Sequence, residues 1–167
     1  MTLNFFNRLL WAAVLIVLQA FIFNQVCLFG YATPIIYVYI LCLQPLNTPR
    51  YAWLFWGFGV GLVADLFSVS PGLGAASMTI TAMAAPVLLQ LFAPKDSVEN
   101  MIPGFEELGR WKYIWFVTSV VFVHQASYVL LEFFSFFRVM DMVLVFLGGT
   151  VFTILLLLIL ENIRKVK

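Results

Sequence analysis

GFGVGLVADLFSVSPGLGAA, residues 57–76, decides how the rest of the chain reads. One apolar run ends near residue 67 and another starts at Leu73, with the turn Ser68-Val69-Ser70-Pro71-Gly72 between them. Trp53, Gly57, Gly61 and Asp65 recur at every fourth position, so a helix carries them on one stripe. Two glycines on that stripe allow another backbone to approach closely, as small residues four apart do in membrane helices. The carboxylate that ends the stripe then faces protein, because a lipid-facing charge is costly. Pro71 presets φ for a tight turn and Gly72 accepts a positive φ, so the chain reverses here. A new helix begins at Leu73, and the partial positive charge of its first amides favours an anion such as Asp65.

Asp65 therefore has two readings. In the first it staples the turn to the start of the next helix. In the second it is an ion or proton site, since ionisable groups inside membrane segments are often functional. Its place within one turn of the interface lowers the cost of the charge and favours the staple.

The 167 residues are 63% hydrophobic and 10% charged, with a mean hydropathy of +1.03. A soluble domain carries about a quarter charged residues, so this composition marks an integral membrane protein. No hydrophilic block is long enough to fold separately, which makes 1–167 a single membrane domain. Apolar segments fall at about 9–23, 26–43, 51–67, 73–92, 113–134 and 142–160. A spanning helix needs about 20 residues, so the pattern predicts an all-α bundle of about six transmembrane helices. Arg8 precedes the first apolar run, but no small-x-small cleavage site follows near Phe23 and Asn24. The first segment is accordingly expected to be a retained helix rather than a signal peptide. Cys27 and Cys42 have neither metal-ligand nor redox spacing and read as packing residues.

The second segment is the least regular. Thr33-Pro34 has the form of an N-cap followed by proline at the first helical position. That predicts a non-helical apolar connection over 24–32 and a short helix starting at Pro34. The alternative is a continuous helix kinked at Pro34. Either version places irregular backbone at membrane depth, where it must be buried in protein or face a cavity.

With the N-terminus and the even-numbered loops on one side, that side holds Arg8, Arg50, Lys95, Arg110, Lys112, Arg164, Lys165 and Lys167. The other side holds Arg138. This asymmetry predicts cytoplasmic termini, with the 68–72 turn and Asp65 toward the outer face. Arg138 and Asp141, close in sequence at the outer turn, are expected to offset each other's charge. The loop 93–112, mixing charges with Ile102, Phe105, Leu108 and Trp111, reads as a cytoplasmic membrane-surface loop or a docking site for a partner. Its basic residues are too dispersed for nucleic acid. The tail from Arg164 to Lys167 reads as an anchor beside anionic lipid.

His124, Tyr128 and Glu132 lie four apart in the fifth segment, with Gln125 beside them. They read as interhelical hydrogen-bonding groups or, alternatively, as a proton relay. Gly149 and Thr153, and likewise Ser77, Thr81 and Ala85, offer close-packing faces. One histidine in the chain argues against a catalytic dyad or a histidine metal site. No phosphate-binding loop, HExxH, GxSxG or paired-cysteine motif occurs, so the expectation is a protein without enzymatic activity and without a cofactor.

The run from Gly61 to Ala76, Gly-x-x-x-Asp-Leu-Phe-Ser-x-x-Pro-Gly-x-x-Ala-Ala, resembles the signature of the MreD family of rod shape-determining membrane proteins. Leu28-Phe29-Gly30-Tyr31-Ala32-Thr33-Pro34 and the polar patch at His124 and Glu132 are similar to one branch of that family. The resemblance implies a non-enzymatic subunit of the bacterial elongation machinery in the cytoplasmic membrane. It further implies the single-pass protein MreC as partner, within a complex of MreB, RodA and a penicillin-binding protein. The family's fold is similar to that of the substrate-binding subunits of energy-coupling-factor transporters. A small-molecule-binding transporter subunit is therefore the alternative. The Ala-x-x-x-Ala docking pattern of those subunits is missing here, because Val17 follows Ala13 and Ile16 follows Ala12. A small ion or proton pathway through Asp65, His124 and Glu132 is a third reading.

Overall fold

The computed structural model describes residues 5–23, 34–68, 70–94, 101–133 and 139–166. Among them every regular element is helical. Helix α1, Phe5–Leu18, passes into a π-helical turn at Gln19–Phe23. A four-residue helix α2, Tyr39–Cys42, precedes α3 at Arg50–Asp65 and α4 at Leu73–Phe92. Helices α5, Arg110–Glu132, and α6, Val139–Val166, complete the order.

Local chemistry sets the boundaries. The extended Pro49 starts α3, and its carbonyl accepts from the amides of Ala52 and Trp53. Gly72, at φ 93°, turns the chain into α4 through a left-handed conformation that suits glycine. Gly109, at φ 80° and ψ 151°, takes a different positive-φ conformation, also suited to glycine, before α5. Helix α4 covers the residues expected, and it runs through Pro86.

Among the described residues, four helical stretches are long and apolar enough to cross a bilayer: Phe6–Phe23, Leu73–Phe92, Arg110–Glu132 and Val139–Arg164. The expectation of about six spanning helices is thus met only in part. Helix α3 has 16 residues, about 24 Å at 1.5 Å per residue. Helix α2, at four residues, cannot span a hydrocarbon core of about 30 Å. Phe6, Phe55, Leu91 and Met140 are among the exposed large apolar side chains, as a lipid-facing surface requires.

Residues 34–44 form the buried centre; every one of them is buried. Neither version of the second segment fits completely. The chain is not helical at Pro34–Ile36, which excludes an unbroken helix, and α-helix begins at Tyr39 rather than Pro34. The Thr33 cap and the 24–32 connection lie outside the described residues. The reason for the late start is visible in the hydrogen bonds. Gln19 Nε2 donates to the Pro34 carbonyl at 3.0 Å, and Gln19 Oε1 accepts from the Ile36 amide at 2.8 Å. Thr153 Oγ1 accepts from the Ile35 amide at 3.0 Å. Gln19 thus takes the Pro34 carbonyl, which a helix starting there would have paired with the Val38 amide, while the Ile35 and Ile36 amides, unpaired at any helix start, are met by side chains of α6 and the π-helical turn.

All the longer helices touch this segment. Trp11 of α1 meets Tyr39 edge-on, and Tyr37 meets His124 of α5. Helices α3 and α4 pack against α2, and α4 packs between α3 and α5. Helix α6 packs mainly on α5. Cys42 is buried and free, as a packing residue should be, while Cys27 lies outside the described residues.

Candidate functional site

The α3–α4 hairpin brings the residues of the opening stretch together. Gly57 lies against α4: a Cβ built there would come within 2.6 Å of Ala82 Cβ and 2.9 Å of the Met78 carbonyl oxygen. At Gly61 the same atom would come within 2.7 Å of both Ala75 Cα and the Gly74 carbonyl oxygen. Two backbones meet here because neither glycine holds them apart. Gly59, on another face, has open space around it.

Asp65 ends the stripe and is buried. Its Oδ2 accepts from the amides of Gly72 at 2.9 Å and Ala75 at 2.8 Å, and its Oδ1 accepts from Gly74 at 2.9 Å. These are the amides that the first turn of a helix leaves without partners. A carboxylate offers about four acceptor positions, so three are occupied by backbone. Chemically that is a negative charge neutralised by the positive end of α4, with little capacity left for a cation. Gly74 matters as much as Asp65, since a side chain there would collide with the carboxylate oxygen. Pro71 and Gly72 are exposed at the turn, where Ser68 Oγ donates to the Asp65 carbonyl.

Tyr37 links this junction to His124. Its hydroxyl lies 3.1 Å from the position a Cβ on Gly74 would take, and its ring meets the His124 ring edge-on at 5.8 Å. His124 is fully buried, with Nδ1 3.3 Å from Thr81 Oγ1, whose hydroxyl donates to the Ser77 carbonyl at 2.7 Å. Nε2 of His124 and Oε1 of Gln125 are buried without a partner among the described residues. Tyr128 packs beside His124 at 6.3 Å, but Glu132 is exposed at the last residue of α5. The three residues spaced four apart are thus not equivalent: two join the core and one does not. Gly149 faces the side-chain amide of Gln125 rather than a backbone, and Thr153 serves Ile35. Pro34 contributes its carbonyl to Gln19.

A second polar cluster lies at the opposite end, where Arg8, Arg50, Arg110 and Arg164 stand at helix ends. Glu161 is buried, and its Oε2 accepts from the hydroxyls of Tyr39 at 2.6 Å and Tyr113 at 3.1 Å. Arg164 pairs with Glu161 Oε1 at 2.6 Å and donates to the Pro103 carbonyl at 3.1 Å. Arg164 is therefore part of the fold rather than a simple lipid anchor. The 101–109 stretch is drawn into the bundle, with Met101 and Leu108 buried and Phe105 stacked edge-on over Tyr113 at 5.0 Å. That differs from a loop lying on the membrane surface, although Trp111 does remain exposed. Residues 95–100 and Arg138, with its expected pairing to Asp141, lie outside the described residues.

Sequence reasoning passed over Gln19, Tyr37, Tyr39, Tyr113 and Glu161. A signal existed for two of them: Gln19 is a lone amide in an apolar run, and Glu161 precedes Arg164 by three residues. Among the described residues no cluster of histidine, cysteine and carboxylate groups could hold a metal ion. No protein-family model matches the chain, and no curated protein or solved structure matches it either.

Proposed function

We propose that this chain is a non-enzymatic scaffold subunit of the bacterial cell-elongation complex, an MreD-type protein of the cytoplasmic membrane with both termini cytoplasmic. It binds an MreC-like single-pass protein, and through it or directly the MreB, RodA and penicillin-binding components. The observation that carries the reading is the state of Asp65. The acid in the stretch on which the MreD resemblance rests is occupied by three backbone amides. Those three bonds support an architectural role for Asp65 in the motif. The clustering of Arg8, Arg50, Arg110 and Arg164 at one end of the helices supports cytoplasmic termini.

The test is isolation of the tagged protein in mild detergent with identification of what accompanies it. An MreC-like protein is the expected companion. Recovery of an ATPase module without any such protein would overturn the scaffold in favour of a transporter subunit.

A further inference from the structure

An open groove of ≈ 650 Å³ lies between the start of α1 and the start of α3, at the arginine-rich end. Arg8, Asn47, Thr48, Tyr51, Phe55 and Trp56 line it, and no acidic residue does among those described. Arg8 is fixed in place, because its Nη1 donates to Gln44 Oε1 at 2.7 Å. That single bond leaves an excess of donors. Arg8 Nε and Gln44 Nε2 are both buried with no acceptor among the described residues, and Gln44 itself is fully buried. Gln44 lies behind Arg8 and outside the groove lining, so it holds the guanidinium from the protein side, and Arg8 is the one charged side chain the groove presents among the described residues, suited to an acceptor-rich anion.

The rest of the groove identifies the kind of molecule that brings such a group. Tyr51 and Phe55, one turn apart on α3, are 76% and 77% exposed and form its outer wall. In a membrane protein that wall faces the bilayer from the side. A soluble anion gains nothing from two bare aromatic rings, whereas a lipid has a chain to lay across them. Arg8 stands in the first turn of α1 and Tyr51 in the first turn of α3, which sets the charge at headgroup depth.

We propose that this groove is a specific site for an anionic phospholipid, with its phosphate held by Arg8 and an acyl chain lying along Tyr51 and Phe55. The site is independent of membership in the elongation complex. It gives the Arg8–Gln44 pair a purpose that neither the core nor the Asp65 junction supplies.

The experiment uses the full chain in phosphatidylcholine nanodiscs doped with phosphatidylglycerol, with retained lipid identified by native mass spectrometry. The wild-type protein retains phosphatidylglycerol over phosphatidylcholine by about fivefold, the factor one arginine near a membrane surface supplies. Arg8→Gln brings the ratio close to one, whereas Lys112→Gln, which removes a charge outside the groove, leaves it intact. The double variant Tyr51→Ala and Phe55→Ala keeps the Arg8–Gln44 bond and still loses retention, so the proposal can be judged even if Arg8→Gln does not fold. Equal retention by wild type and the double variant would overturn the proposal. Equal losses in Arg8→Gln and Lys112→Gln would reduce it to general surface charge and overturn it too. Displacement of the lipid by inorganic phosphate would show a soluble-anion site instead.

Discussion

Replacing Asp65 offers the sharpest test of the junction, because its three hydrogen bonds respond differently to different side chains. Asp65→Leu removes every acceptor. The Gly74 and Ala75 amides are buried, while Gly72 is only partly so and can turn to water. Each buried donor left without a partner costs about 1–3 kcal/mol, so the two together cost about 2–6 kcal/mol. Against a typical total of about 5–15 kcal/mol, that is enough to lower membrane abundance. Asp65→Asn keeps one oxygen. Placed at the Oδ2 position it still serves Gly72 and Ala75, but its amide group then confronts the Gly74 N–H, donor against donor. One buried bond is lost, so the expected cost is about 1–3 kcal/mol. The predicted order is wild type, Asn, then Leu, read by thermal unfolding in detergent and by co-isolation of the proposed MreC-like partner. An Asp65→Asn protein that is as stable and partner-bound as wild type, yet wholly inactive in cells, would refute the staple and restore the ion pathway.

Glycine substitutions along α3 should separate by face. Gly61→Ala forces a Cβ into the backbone of α4 and should destabilise by at least about 1–3 kcal/mol, while Gly59→Ala enters open space and should stabilise by up to about 1 kcal/mol. Paired melts showing the same shift at both positions would contradict the packing described. Thr153→Val keeps shape but leaves the Ile35 amide unpaired, costing about 1–3 kcal/mol in the same assay. Glu161→Leu strands Arg164 and two tyrosine hydroxyls. Breaking such a pair costs about 3–5 kcal/mol where it is buried. It should also speed proteolysis within 101–109, and unchanged cleavage would mean that Arg164 does not hold that stretch. With Cys27 and Cys42 removed, single cysteines at Ser70 and Ser97 should label from opposite faces of intact cells, Ser70 from outside.

The α3–α4 hairpin was legible because its signals are local. A four-residue period, a Pro-Gly turn and a lone acid all act within one or two helical turns, where spacing alone fixes who meets whom. The same holds for α4, whose bounds coincide with the apolar run. The 34–44 segment was only half legible. Thr33-Pro34 signalled a break, but not that the backbone after Pro34 would stay irregular as far as Val38. That outcome depends on Gln19 and Thr153, 15 and 118 residues away from their partners, and no local pattern encodes such distances. The tyrosine partners of Glu161 were hidden for the same reason, since Tyr39 and Tyr113 lie far from it in sequence. The His124, Tyr128 and Glu132 spacing suggested one continuous ladder, yet α5 ends at Glu132 and leaves that carboxylate outside.

The binding of the 34–44 segment by the last helix has a consequence for the order in which the protein is made. Ile35 and Tyr39 emerge from the ribosome early, but their partners Thr153 and Glu161 follow 118 and 122 residues later. At about 5–20 residues per second, several seconds or more separate the two events. During that interval Gln19 is already available to Pro34 and Ile36, but the Ile35 amide and the Tyr39 hydroxyl still lack the partners they have in the finished fold. The arrival of α6 is then what completes the hydrogen bonding of this segment.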